Sequence, residues 1–425
     1  MSSAGTFLRG AQDRLLPPFI PFGFFSAAAL FHLIGWGLFL LDPGGVVGFT
    51  GGVGLPLAAL HSLTLGVLVM TAIGASYQFL PVTTRQPLRR TWAATLSFWL
   101  FAPGTALLVL GMALADETAL YAGGALAGTG LLVFAILMGD NLRRAASLPL
   151  VASHGWVAFV ALPVFVLLGF LLIADFGYGF FADHRALARI HMTLALFGFM
   201  GILVTGFSRI LIPMFALSRS VPDGPGWIHL ALGLLAGTVF VGGIGAHVQP
   251  LETAGAALAL VAASIYLMQM LRTLRARMRK RLEWPLWLII ASWCFLALGL
   301  VAGFLVTLGW MPGSGATLFG VLVLMGWQLS FLLGVLARIM PFLASMHAAR
   351  RDGLPPLLSD LTPDLPLKII IVLHPPAVVF SALGIVLEMP EIARAGAAAG
   401  FVSALAFGVF TGIVVSRIAV RNPGP

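Results

Sequence analysis

The sequence predicts an all-α integral membrane bundle of about twelve spanning helices, and three observations carry that reading. Of 425 residues, 60% are hydrophobic and 9% are charged, with a mean hydropathy of +1.02. A soluble domain carries roughly 25% charged residues, so this chain has too few to coat a water-exposed surface. The apolar residues fall in runs of spanning length, about 20 residues for a hydrocarbon core about 30 Å thick. Strand-like alternation is absent, and a backbone in lipid must satisfy its own hydrogen bonds, which leaves helices.

Taken in order, the apolar runs between polar breaks place spans near 19–41, 55–81, 92–113, 119–138, 154–174, 187–216, 227–247, 253–271, 285–308, 315–345, 367–387 and 392–416. With the N-terminus inside, 21 of the 24 basic residues fall on inner segments, and only Arg185, Arg189 and Arg394 fall outside. This is a lopsided positive-inside pattern and predicts that both termini are cytoplasmic. It also accounts for the net charge of +9 without any nucleic-acid partner; the partner implied is the lipid bilayer. The run from Arg272 to Arg281 reads as a topology anchor, each basic residue near an anionic surface contributing about 1 kcal/mol. The single cysteine, Cys294, excludes a disulfide framework and cysteine-based metal centres. The first apolar run is too long for the core of a cleavable signal peptide.

Three spans resemble one another: HSLTLGVLVMTAIGASYQFLPV from 61, HMTLALFGFMGILVTGFSRILIPMF from 191 and TLFGVLVLMGWQLSFLLGVLARIMPF from 317. Each has a glycine seven residues before a proline: Gly74 and Pro81, Gly206 and Pro213, Gly334 and Pro341. The prolines recur at a nearly constant interval, the length of four spans with their connections. A single membrane domain of three four-helix repeats, near 19–138, 154–271 and 285–416, is therefore predicted, with the second, sixth and tenth spans central. Small-residue pairs at Gly124–Gly128, Gly233–Gly237 and Gly299–Gly303 predict close helix contacts in lipid.

Nine histidines are present. His154, His229 and His347 fall at inner span ends and read as interfacial; His374, beside Pro375 and Pro376, reads as packed or in contact with water. The informative group is outer: His61 and His191 open the second and sixth spans, His32 lies in the outer half of the first, and His184 and His247 border outer loops. Neutral imidazole is the commonest metal ligand, and ionisable groups within spans are functional candidates. His61 precedes Pro81 by nearly the same stretch of chain as His191 precedes Pro213, which puts the two at matching depth. These two are the cofactor-ligand candidates, and His32, His184 and His247 are further metal-ligand candidates. Arg209 and Arg338, near the inner ends of two central helices, are expected to snorkel to the interface.

With His61, the Gly-Ala-Ser-Tyr at 74–77 and Pro81 in view, the second span resembles the haem-ligating second helix of haem–copper oxidase subunit I and nitric oxide reductase. The twelve-helix, pseudo-threefold plan looks like the same superfamily, and length and layout look most like the NnrS family and related short oxidase-like proteins. That resemblance implies haem b, with copper as a second cofactor of the superfamily, in a bacterial inner-membrane protein of respiratory electron transfer or nitrosative stress. Respiratory-complex subunits or a periplasmic electron carrier would be its partners.

The departures are specific. Thr317 to Val323 carries no histidine, where oxidases have a His-x-His pair, and the copper-binding histidine pair and histidine–tyrosine crosslink have no counterpart. In place of the His-x-His-Glu-Met element of NnrS proteins stands His61-Ser62-Leu63-Thr64. A stand-alone oxidase or nitric oxide reductase is therefore not expected, and no catalytic residue is assigned. Two other classes remain open: a cofactor-free structural or assembly subunit of a respiratory complex, and a secondary transporter. The transporter reading has the repeats in its favour but lacks a carboxylate within a span. No phosphate loop, His-Glu-x-x-His or Gly-x-Ser-x-Gly element occurs.

Overall fold

The computed structural model describes residues 14–145, 148–219, 221–278, 281–352 and 356–420. Twelve helices in it are long and apolar enough to cross a membrane. They are α1 (Phe19–Leu41), α2 (Leu55–Thr83), α3 (Thr91–Leu114), α4 (Glu117–Arg143), α5 (Pro149–Tyr178) and α6 (His184–Ala216). The second half holds α7 (Asp223–Ala246), α8 (Gln249–Arg275), α9 (Trp284–Thr307), α10 (Gly315–Ala348), α11 (Asp364–Val386) and α12 (Pro390–Ile418). Twelve crossings put the start of α1 and the end of α12 on one face, called here the terminal face; the other is the far face. Arg9, Arg279, Lys280 and Arg421, all counted in the inner charge set, lie outside the described residues.

Helix starts follow their sequence signals. Asp116 accepts from Ala119 N (2.7 Å) ahead of α4, and Asp183 accepts from Ala186 N (2.8 Å) ahead of α6, each satisfying one of the free amides of a first turn. The helices pair as tight hairpins, α3 on α4, α7 on α8 and α11 on α12. Glycines let the backbones meet. A Cβ on Gly104 would sit 2.4 Å from Ala127 N, one on Gly243 2.7 Å from Glu252 N, and one on Gly384 2.4 Å from Ala393 N. Finally α12 packs on α1 and closes the ring.

Inside that ring stand α2, α6 and α10. Their apolar windows are 72, 72 and 89% buried, against 22–50% in the other nine, so these three are the central helices. Gly74, Gly206 and Gly334 press them against α1, α5 and α9: an added Cβ would come within 2.8 Å of Phe24 Cβ, 2.7 Å of His154 Cβ and 2.8 Å of Pro285 O. Each central helix also widens into a π-helical stretch, at Ser62–Val69, Leu194–Gly201 and Leu322–Leu329. These stretches start at the same intervals along the chain as separate Pro81, Pro213 and Pro341. Wider turns release backbone carbonyls from the i→i−4 ladder, and side chains from neighbouring turns and helices take them up. Gln328 Nε2 donates to Leu196 O (2.6 Å), and His374 Nε2 lies 3.2 Å from Met325 O.

Two expectations are corrected. Gly124–Gly128 packs against Phe170 of α5 and Gly299–Gly303 against Val323 and Phe319 of α10, but Gly233 and Gly237 have nothing within reach of an added Cβ. They pave a cavity wall instead of a helix contact. Nor does Arg209 snorkel to water. Arg209 is buried and donates to Gln269 Oε1 (3.1 Å), Val221 O (3.3 Å), Pro222 O (2.8 Å) and Asp223 Oδ1 (3.0 Å). Arg338 pairs with Glu283 and lies over the Phe215 ring.

Candidate cofactor cavity

A cavity of about 1790 Å³ wraps both flanks of α6 from its far-face end to past its midpoint. One flank is walled by α2, α4 and α5, through Leu65, Gly128 and Phe170; the other by α7 to α9, through Gly237, Phe240 and Phe304. Drug-sized ligands occupy roughly 300–1,000 Å³, so there is room for something larger. The wall is overwhelmingly apolar, which makes its few polar atoms the selective ones.

His61 and His191 are two of them. His61 sits six residues into α2, which starts at Leu55, about 9 Å along the helix from its far-face end. Its Nδ1 lies 3.1 Å from Leu57 O one turn back. A carbonyl can only accept, so Nδ1 carries the proton and Nε2 keeps its lone pair. His191 repeats the arrangement across helices: Nδ1 donates to Phe165 O of α5 at 2.9 Å, and the ring packs edge-on to Phe165 and against Gly169. Neither Nε2 has a hydrogen-bond partner among the described residues, and both rings line the same cavity. An imidazole whose second nitrogen is fixed on a backbone carbonyl has the support that a ligating histidine uses.

The remaining candidates lie apart. His184 is exposed at the cavity mouth, its Nδ1 2.6 Å from Asp175 Oδ2, while Asp175 also accepts from Phe181 N. That pair fastens the α5–α6 connection. His247 is exposed beyond α7, 3.8 Å from Asp183. His32 is fully buried outside the cavity, against Trp36 and His374. Among the described residues no three His, Cys, Asp or Glu side chains gather as a metal cluster. Arg185 and Arg189 complete the mouth, with Arg189 paired to Glu252.

Two cavity features escaped the reading of the sequence. His154 and His229 are not interfacial: their rings stack between α5 and α7 at 6.2 Å and 19°, each Nδ1 bonded to a carbonyl (Leu150 O, Ala262 O), and His229 lines the cavity. Only their similar depth, a few residues into α5 and α7, hinted at this. Tyr266, bonded to Ser208 (2.9 Å), stands beside His229 in the cavity wall.

No family model and no curated protein matches the chain. Among solved structures it is similar to a haem–copper terminal oxidase dimer determined by cryo-electron microscopy, with a TM-score of 0.59 and 14% identity over 96% of this chain and 85% of that one. The fold of this twelve-helix ring around α2, α6 and α10 is thus the haem–copper oxidase fold.

Proposed function

We propose that this chain is a haem-binding membrane protein that carries electrons or senses nitric oxide on an oxidase fold, without an oxidase binuclear centre. The observation that carries the reading is the pair His61 and His191, each with Nδ1 held by a backbone carbonyl and Nε2 free at one apolar cavity. Porphyrin supplies four of the iron's ligands, so an axial imidazole or two is all the protein need add. Zinc takes three or four protein ligands, which two imidazoles do not make, and a bare copper ion would leave most of an apolar cavity of about 1790 Å³ unfilled, so haem b fits these residues better than either. Arg185 at the mouth offers a cation for a propionate. Bound haem would supply one-electron chemistry; the chain's own residues orient the imidazoles and exclude water. The positive-inside count supports the terminal face as cytoplasmic, in a bacterial inner membrane, and puts His61 and His191 near the periplasmic side, within reach of a periplasmic carrier or a neighbouring respiratory subunit.

The test is the absorption spectrum of protein purified after expression with haem supply. A Soret band with a sharp reduced α-band is expected, with His61→Ala and His191→Ala each abolishing or shifting it; dithionite-reduced protein exposed to nitric oxide then shows whether iron keeps an open position. A colourless wild type that folds and co-purifies with respiratory subunits would favour the second reading, an assembly subunit that retains the fold, for which the histidine-free stretch Thr317 to Val323 speaks.

A further inference from the structure

Away from the cavity, α1, α10, α11 and α12 enclose a second polar cluster. His32 and His374 are both fully buried, their ring centres 6.4 Å apart, and the Trp36 ring completes a triangle 6.3 Å from His374. Hydrogen-bond partners fix both tautomers. Trp36 Nε1 can only donate, and it lies 3.0 Å from His32 Nε2, so Nε2 is the acceptor and neutral His32 carries its proton on Nδ1. His374 Nε2 faces Met325 O at 3.2 Å and Ser330 Oγ at 3.0 Å. Met325 O can only accept and the Ser330 proton is directed to that same carbonyl, so His374 Nε2 is the donor and its Nδ1 holds a lone pair. The two leftover atoms, His32 Nδ1 and His374 Nδ1, are buried with no partner. One is a donor and the other an acceptor.

We propose that these atoms hold one water molecule between them, in a sealed site distinct from the histidine cavity. A buried polar atom left unpaired is costly, and buried waters settle where about three such groups converge. The third group is Ser403 Oγ, also buried and unpartnered. On α12 it lies between Gly400, whose added Cβ would meet the Trp36 ring, and Phe407, whose ring is 5.8 Å from His32. Water both donates and accepts, as this unlike pair requires. A metal ion needs two lone pairs, and His32 has used its own on Trp36. The water therefore ties α1 to α11, and through the Met325 carbonyl to the π-turn of α10. This site stands whether or not the cavity binds haem.

The experiment is a high-resolution cryo-electron microscopy map of the full chain in lipid nanodiscs, with metal analysis after copper and zinc exposure. Expected is a single water-sized peak in hydrogen-bond reach of both Nδ1 atoms, and a metal content unchanged in His32→Leu. Rings in direct contact, a dry gap, or metal lost with His32 would overturn the proposal. Thermal melts give a second readout. His32→Leu and His374→Leu share only the bridge, and each also loses a bond of its own, to Trp36 Nε1 or Met325 O, so the double variant should lose measurably less Tm than the sum of the two single ones; fully additive losses would also overturn it. If a leucine variant fails to fold, His374→Gln, which keeps an acceptor, should retain the peak and most of the Tm, and its loss there counts equally against the water.

Discussion

His191 owes its orientation to a gap. Gly169 leaves the space that the ring fills, with the nearest ring carbon 3.4 Å from where a Cβ would stand. Gly169→Val adds branches that displace the ring from Phe165 O. The expected outcome is a folded protein with a weakened or shifted Soret band, read by spectroscopy beside a melt to show that the fold survives. Arg209 is the contrasting case, a charge held for architecture. Replacing it with Met leaves Gln269 Oε1 and Val221 O without a donor and Pro222 O with only the long bond from Gln269 Nε2 (3.4 Å), and hydrogen bonds to a charged group contribute about 1.5–3 kcal/mol each. A clear drop in Tm is expected, only partly rescued by Lys, whose point charge cannot spread over the four acceptors that a guanidinium reaches. At this scale the sequence was legible for His61 and His191, whose depth follows from counting along the helix to a proline. It was not legible for Arg209, because Gln269 and Asp223 stand 60 and 14 residues away and only folding brings them in.

Among elements, the glycine hairpins make a sharper test than any single contact. Gly384→Leu would drive side-chain atoms into the backbone of α12, since even a Cβ there falls 2.4 Å from Ala393 N; loss of folded yield in detergent is expected. Gly237→Leu faces open space in the cavity wall. It should leave folded yield unchanged or slightly raised, since glycine inside a helix costs about 0.5–1 kcal/mol relative to alanine. Any haem uptake should fall as the cavity fills. Identical chemistry at two glycines thus gives opposite outcomes, and the small-residue spacing misleads here, since Gly237 stands in such a pair and Gly384, between Phe380 and Glu388, does not; which face of α7 looks into the bundle is settled by its neighbours. The π-turns were equally hidden. Their sequences, SLTLGVLV, LALFGFMG and LVLMGWQL, share apolar character and glycine, and the wider turn depends on outside groups such as Gln328 and His374 to satisfy what it releases.

For the whole molecule, the spans, their number and the three central helices were readable because hydropathy and the backbone's need for internal hydrogen bonds leave few choices in lipid. Orientation is a proposal that reporter fusions can check: alkaline phosphatase joined in the α7–α8 connection should be active, and joined in the α6–α7 connection inactive. The seam of the ring lies between α1 and α12, where Gly400 admits the Trp36 ring so closely that an added Cβ would overlap it. During synthesis α1 must wait in the bilayer with that indole, and His32 beside it, facing lipid until ten further spans have been made and its neighbour α12 arrives. Closing the ring is therefore a docking step between two helices far apart in the chain. Ribosome stalling just short of α12 would strand an open crescent, the kind of substrate that membrane quality-control proteases and insertases are built to find.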